Sequence, residues 1–256
     1  MQTRGTPLDR VSAWLVDFLT RPIRNFDPPA CYSASQLRAA LRPGDVLLVE
    51  GNLRISSLIK YITQSMWSHV ALYVGPQAGA QSDDPAVLVE AEIGQGVVLS
   101  PLSKYAGFHT RICRPTGLRA DDRERVVAHA LGRLGNTYDL KHVIDLARHQ
   151  LAPPTFTAAV QSGLRRLGSG EPTRVICSTL IAQAFQSVRF PILPTHRTAP
   201  GAQTRPEQSD SGVAQVWEAR HSSLFAPRDF DVSPYFSIVK PAPVEDFDYT
   251  RARWAA

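Results

Sequence analysis

The chain has 256 residues, 43% of them hydrophobic and 20% charged, which is the composition of a globular protein with enough residues for one large core. Its formal net charge of +5 is spread along the chain, which favours an anionic surface or ligand and gives no reason to expect nucleic-acid binding. Three cysteines without a CxxC pair suggest neither a disulfide scaffold nor a thiolate zinc site.

Apolar residues recur at helical spacing between positions 8 and 21, so this segment is predicted to form an amphipathic helix. Such a helix packs either on its own domain, which we favour, or on a membrane surface. No stretch resembles a signal peptide, and none approaches the ~18 apolar residues of a membrane span. We therefore expect a cytoplasmic protein, with peripheral membrane contact through residues 8–21 left open.

The remaining elements follow from hydrophobic periodicity and from turn residues. Strands are predicted, in chain order, at 45–50, 69–75, 86–92, 96–99, 109–113 and 235–240. Helices are predicted at 35–41, starting from Ser35, and then at 55–62, 120–134, 139–150 and 177–188. We expect residues 1–42 to form an N-terminal helical extension and residues 43–256 to form one domain. The polar composition of 194–212 predicts a mobile loop.

Cys177 stands where an apolar dipeptide leads into a helical pattern, so it is predicted to lie at or near a helix N-terminus. The backbone N–H groups and the positive helix dipole at such a position stabilise a thiolate, which is the nucleophilic form of cysteine. The same amides, including that of Ser178, could hold an oxyanion. The alternative is that Cys177 is a small buried hydrophobe, as most free cysteines are.

Two further segments supply partners for a nucleophilic cysteine. His69 opens an apolar strand, where it could take the thiol proton and return it to a leaving group. Glu90 lies in a mostly apolar strand, and a carboxylate facing a core needs a partner because burying it alone is costly. The imidazolium of His69 would be that partner, with Glu90 fixing its orientation. Glu92 has the same side-chain parity and is the alternative orienting acid.

The ordered series GDVLLV, SHVALYVG, VLVEA with GVVLSPLSKY, GNTYD and VICSTLIAQAF, spanning about residues 43–187, resembles the YiiX/YebB-like hydrolases. These are permuted relatives of the NlpC-type papain-like peptidases. The resemblance implies an α+β, circularly permuted papain-like fold in which an antiparallel sheet packs against helices. It also implies a catalytic triad of Cys177, His69 and Glu90, with the histidine preceding the cysteine along the chain.

Other residues receive supporting roles. Tyr138 in GNTYD resembles a tyrosine that lines the site in NlpC-type enzymes and could donate to an oxyanion, or it is simply a partly buried aromatic. Trp67 is expected to line the pocket. Asp45 is expected to make turn or strand-end hydrogen bonds and stays outside the catalytic set. Cys31 and Cys113 are interpreted as structural. The other histidines lack ligand spacing, so neither a metal nor a cofactor is predicted.

The predicted function is that of a cysteine hydrolase or acyltransferase acting on an amide or ester. The amphipathic helix, the positive charge and the permuted relatives that act on lipid acyl chains slightly favour a lipid or fatty-acyl substrate. One alternative is a cytoplasmic peptidase or amidase acting on peptides derived from the cell wall. The other is a module that binds a lipid or peptide in the same groove without catalysis.

Overall fold

The computed structural model describes residues 17–18, 20–23, 32–77, 83–136, 176–197 and 216–241. The strands of this part of the chain are β1 (Val46–Val49), β2 (His69–Tyr73), β3 (Ala86–Glu92), β4 (Gly96–Pro101), β5 (Thr110–Pro115), β6 (Thr195–Arg197), β7 (Val216–Glu218) and β8 (Phe236–Val239). Its α-helices are α1 (Ala34–Ala40), α2 (Arg54–Thr63), α3 (Ala120–Leu131), α4 (Ile176–Gln186) and α5 (Pro227–Asp231). Two short 3-10 helices cover Leu102–Tyr105 and Ser222–Leu224.

Six of the strands form one antiparallel sheet in the order β4-β3-β2-β1-β5-β8. β1 lies near its centre, where Val49 is opposite both His69 of β2 and Thr110 of β5. The predicted last strand returns as the edge strand β8, paired with β5. The sheet therefore brings the start of β2, which carries His69, into the middle of the domain.

Both faces of the sheet are buried, which explains why β1 reads as an unbroken apolar run. On one face α4 packs through Leu180, Ile181 and Phe185, all without solvent exposure, together with α3. On the other face α1 packs through Leu37, next to the 3-10 helix Leu102–Tyr105. The helices cover the sheet because packing against it is what removes their apolar faces from water.

Two helix ends differ from the sequence prediction for local reasons. We predicted that α1 starts from Ser35, but the N-cap is Ser33, whose hydroxyl accepts the Gln36 amide at 3.2 Å while the Gln36 side chain accepts the Ser33 amide at 2.9 Å. This capping box satisfies two helix-end donors. α3 ends at Leu131 and not at 134, because the chain turns at Gly132 and Gly135 then donates to Val97 of β4 at 2.9 Å.

Several predicted segments lie wholly or partly outside the described residues. Of the predicted loop at 194–212, residues 195–197 form β6 and pair with β7, and the rest from 198 onwards is not described. The predicted helix at 139–150 is not described. Of the N-terminal amphipathic segment the structure describes 17–18, which are helical, and 20–21. Its end contacts α2, where the Arg54 guanidinium lies 4.1 Å from the centroid of the Phe18 ring.

The boundary placed between residues 42 and 43 stays a prediction, although α1 already packs on the sheet. Among the helices that the structure describes, none is both long enough and apolar enough to cross a membrane.

Candidate active site

Cys177 is the second residue of α4 and is 4% exposed. The amides of a helix's first turn have no carbonyl partner within the helix, so they favour a negative charge beside them. The next residue, Ser178, is fully buried and its hydroxyl donates to the backbone oxygen of Phe225 at 2.7 Å. This bond fixes the start of α4 to the segment before α5. The proposed contribution of the Ser178 amide to an oxyanion site stays a prediction.

His69 is the first residue of β2 and contacts both of its predicted partners. Its Nε2 lies 2.5 Å from Oε2 of Glu90, and the imidazole also hydrogen-bonds the Cys177 side chain. Because Glu90 occupies Nε2, Nδ1 is the ring nitrogen that remains for the sulfur. The His69 side chain keeps 22% exposure, so the base stays accessible to solvent. The structure thus brings Cys177, His69 and Glu90 together.

Glu90 has no solvent exposure and accepts from three side chains. Its Oε2 accepts from His69 and from the hydroxyl of Tyr105, and its Oε1 accepts from Lys104 Nζ at 2.7 Å. Glu92, the alternative orienting acid, instead pairs with Lys104 and accepts from Gln95 Nε2 at 2.5 Å. In this structure the carboxylate that contacts His69 is therefore that of Glu90.

The surroundings favour the charged forms of this pair. Burial lowers the pKa of His69, but the charges of Cys177 and Glu90 and the hydrogen bonds to both outweigh it and raise that pKa to about 10. Burial raises the pKa of Glu90, but the hydrogen bonds and charges of His69 and Lys104 hold it well below its usual range. At neutral pH the structure therefore favours an imidazolium facing a carboxylate.

Trp67 is 1% exposed, so its ring packs in the core. Its indole N–H donates to Asp231 Oδ2 at 2.9 Å, and the Arg111 guanidinium lies 5.0 Å from its ring centroid. In this position Trp67 supports the chain just before His69. A direct contact between Trp67 and a substrate stays a prediction. Tyr138 lies outside the described residues.

The remaining predicted roles concern residues away from the triad. Asp45 accepts from the Arg42 amide at 2.8 Å and binds the Arg114 guanidinium at 2.9 and 2.6 Å, so it ties a turn to β5. Cys113 is fully buried, and burial raises the pKa of its thiol to about 12, which leaves it unreactive. Cys31 lies outside the described residues. Within the part of the chain that is described, no group of three or more His, Cys, Asp or Glu side chains could hold a metal ion.

Lys104 and Tyr105 are site residues to which the sequence analysis assigned no role. Both lie on the 3-10 helix that follows β4, at the end of the segment GVVLSPLSKY. A signal was present, because a fully buried carboxylate has more acceptor positions than one imidazole fills. Donors on the strand that pairs with the Glu90 strand, or just beyond it, were the obvious candidates.

Comparison with known proteins bears on the fold. Residues 40–151, a range that holds His69 and Glu90, match the model of a family described as permuted papain-like amidase enzyme, YaeF/YiiX, C92 family. No curated protein matches. A similar solved structure is that of the metalloprotein yiiX from Escherichia coli O157:H7, which has 15% sequence identity and a TM-score of 0.45 and covers 85% of this chain and 99% of that chain. The family match supports a cysteine hydrolase of the amidase class. Together with the antiparallel sheet and its covering helices, it supports an α+β, permuted papain-like fold of the YiiX type.

Proposed function

We propose that this protein is a cysteine hydrolase in which Cys177 is the nucleophile, His69 the general base and acid, and Glu90 the orienting carboxylate. The observation that carries the proposal is the 2.5 Å contact between His69 Nε2 and Glu90 Oε2 in an imidazole that also hydrogen-bonds Cys177. A nucleophile, a base and a third group that orients the base form the arrangement that activates a thiol.

The reaction begins with attack of the Cys177 thiolate on the carbonyl carbon of an amide or ester. The C=O electrons move to the oxygen, which the amides at the start of α4 stabilise. The intermediate then collapses, the bond to the leaving nitrogen or oxygen breaks, and His69 gives that atom its Nδ1 proton. Water next attacks the thioester while giving a proton to His69, and the thiolate leaves. In an acyltransferase another acceptor takes the place of water.

For the acyl group we favour a lipid or fatty-acyl chain. The net charge of +5 suits an anionic membrane surface, and residues 8–21 are the segment proposed for peripheral contact. Tyr61 and Met66, which are 71% and 46% exposed, lie on α2 and on the turn that leads to His69. Exposed apolar side chains this close to His69 along the chain suit an apolar substrate better than a charged peptide. A cytoplasmic setting belongs to this proposal, and cell fractionation tests it.

The second candidate is a peptidase or amidase acting on peptides. The observation that favours it is the family description, which names an amidase. An amide leaving group needs its proton from His69 more than an ester does, because a free amide anion is a very poor leaving group. The third candidate, a binding module without catalysis, requires an unreactive Cys177.

The first experiment needs no substrate. The rate of iodoacetamide alkylation at Cys177 is measured against pH by peptide mass spectrometry, in the native protein and in His69→Ala. We expect rapid alkylation well below the ~8.5 of a free thiol, and its loss in the variant. If Cys177 is inert, or titrates normally whether or not His69 is present, the enzyme proposal is wrong and the binding module replaces it.

The second experiment separates the two substrate classes. Fatty-acyl esters and fatty-acyl amides of increasing chain length are compared with short acidic peptides, using Cys177→Ser as the inactive control. A kcat/KM that rises with acyl-chain length supports the lipid substrate. Cleavage of the peptides with no turnover of any acyl lipid would instead support the peptidase.

A further inference from the structure

The β3–β4 hairpin and the 3-10 helix after it hold the orienting acid from one side. Glu90 lies on β3 opposite Val98 of β4, and after β4 the chain turns directly into Leu102–Tyr105. From there Lys104 donates to Oε1 of Glu90 and Tyr105 donates to Oε2. We call this pair the Lys104–Tyr105 clamp. These two hydrogen bonds fix the orientation in which the Glu90 carboxylate contacts His69.

The two members of the clamp differ in charge. Tyr105 is 5% exposed and its pKa is raised well above the ordinary value by burial and then by the charge of Glu90, so it donates as a neutral phenol. Lys104 brings an ammonium group, and its side chain is 34% exposed. Among the described residues that contact Glu90, His69 and Lys104 are the cationic ones. Lys104 therefore carries the positive charge beside Glu90 that does not depend on the proton of His69.

The charges around the site explain why that ammonium is needed. When Cys177 is a thiolate, the site holds three negative groups, which are Cys177, Glu90 and Glu92. Among the described residues, the positive groups that contact them are the His69 imidazolium and Lys104. Without Lys104, Glu90 would be fully buried near a second carboxylate, and both effects favour its protonation. A neutral Glu90 could no longer stabilise the imidazolium, and the thiolate would then lose its counter-ion.

We propose that Lys104 is a positioning residue which keeps Glu90 ionised and directed at His69, and that its ammonium group thereby sets the lower limit of the pH range in which Cys177 is a thiolate. Tyr105 fixes the position of the same carboxylate through a neutral hydrogen bond. The inference rests on the proposed function, because it assigns Lys104 a role only in a site where His69 activates Cys177.

The test compares the pH midpoint of Cys177 alkylation by iodoacetamide in the full-length protein and in four variants. Lys104→Met removes the charge and keeps the chain length, and the midpoint should rise by about one pH unit, the low end of what a neighbouring opposite charge contributes. Lys104→Arg keeps the charge and should restore the native midpoint. Tyr105→Phe, which removes a hydrogen bond and no charge, should shift it less than Lys104→Met does.

Glu92→Gln is the matched control for charge. It alters the other partner of Lys104 but keeps the contact between the Lys104 ammonium and Glu90. The pH midpoint of Cys177 alkylation should therefore move by less than half of the Lys104→Met shift. Thermal unfolding of each variant monitors the fold, and Lys104→Gln is the second charge-removing variant if Lys104→Met does not fold. A structural role for Lys104 would lower the melting temperature and leave the midpoint in place.

The outcomes separate this inference from the proposed function. A native midpoint that depends on His69, together with no shift in Lys104→Met or Lys104→Gln, overturns the role of Lys104 and leaves the triad standing. A native midpoint that does not change in His69→Ala overturns the proposed function itself. If the pH midpoint of Cys177 alkylation shifts by the same size in Glu92→Gln as in Lys104→Met, the effect is that of the general electrostatic field. This result would also overturn the specific role of Lys104.

Discussion

Replacing Glu90 with Gln removes one negative charge and keeps the size of the side chain. The change leaves one carbonyl oxygen for three donors, His69, Lys104 and Tyr105. If that oxygen takes the position of Oε2 and keeps the contact with His69, the new NH2 group faces the Lys104 ammonium. Two donors then meet without an acceptor, which is unfavourable because the side chain at position 90 has no solvent exposure.

The expected size of the effect follows from the charge that is lost. An opposite charge in contact with a titrating group shifts its pKa by ~1–3 units, which corresponds to ~1.4–4 kcal/mol. The pKa of His69 should therefore fall from about 10 by that amount in Glu90→Gln. The same free energy applied to the thiolate–imidazolium pair lowers the rate of hydrolysis by a factor of roughly 10 to 10³.

The sign of the pH dependence is fixed by the direction of the shift. The pKa of His69 is raised in the folded protein from 6.5 to about 10, so its contribution to stability is fully present below pH 6.5 and is lost as the pH rises through about 10. Glu90→Gln should narrow that window from its upper end. NMR titration of the His69 Cε1–H resonance, assigned with a His69→Gln sample, measures the pKa of His69 in the native protein and in Glu90→Gln. Glu92→Gln is the control.

Two results would refute the reasoning. A native His69 that titrates near 6.5 would show that neither Cys177 nor Glu90 stabilises its charged form. If the pKa of His69 is raised in the native protein but stays the same in Glu90→Gln, Glu90 only fills space beside the ring. Either result would also remove the physical basis for a triad with Glu90 as the third member.

Three further outcomes are expected from residues outside the triad. Iodoacetamide at pH 8 should label Cys177 and leave Cys113 unlabelled in the native protein, because burial raises the pKa of Cys113 to about 12; comparable labelling rates in peptide mass spectrometry would contradict this. Asp45→Asn should lower the free energy of unfolding in urea by about 3 kcal/mol, since it breaks a largely buried pair with Arg114, and an unchanged midpoint would show that the pair is dispensable. Trp67→Phe should cost about 2 kcal/mol in the same assay through loss of its bond to Asp231, while the pH midpoint of Cys177 labelling stays in place.

The sequence alone predicted the strands of the main sheet well, because their residues are apolar on both faces or alternate clearly. The strand 45–50 became Val46–Val49, and 86–92 was found with the same limits. The contact of His69 with Glu90 also followed from sequence, since a carboxylate in an apolar strand requires a partner. The choice of Glu90 over Glu92 did not follow from side-chain parity, which the two residues share. The structure distinguishes them, because Glu90 contacts His69 whereas Glu92 pairs with Lys104 and accepts from Gln95.

The Lys104–Tyr105 clamp and the anchor of Trp67 could not be predicted in the same way. A 3-10 helix of four residues is too short to show a period, so Leu102–Tyr105 carries no pattern of its own. The bond from Trp67 to Asp231 spans 164 positions, and no local feature of either segment indicates it. Long-range polar contacts of this kind depend on how the whole sheet and its covering helices pack.

The order of the catalytic elements along the chain has a consequence for folding. His69 and Glu90 lie on adjacent strands, whereas Cys177 enters on a helix roughly 100 residues further on, so the thiol meets its base through a contact of high sequence separation. During synthesis the strands that carry the base and the acid emerge before the nucleophile, and α5 and the edge strand β8 emerge after it. A nascent or refolding chain therefore holds an ordinary, weakly reactive thiol until α4 docks. Fast alkylation of Cys177 should for this reason appear late in refolding, as a chemical marker of the completed domain.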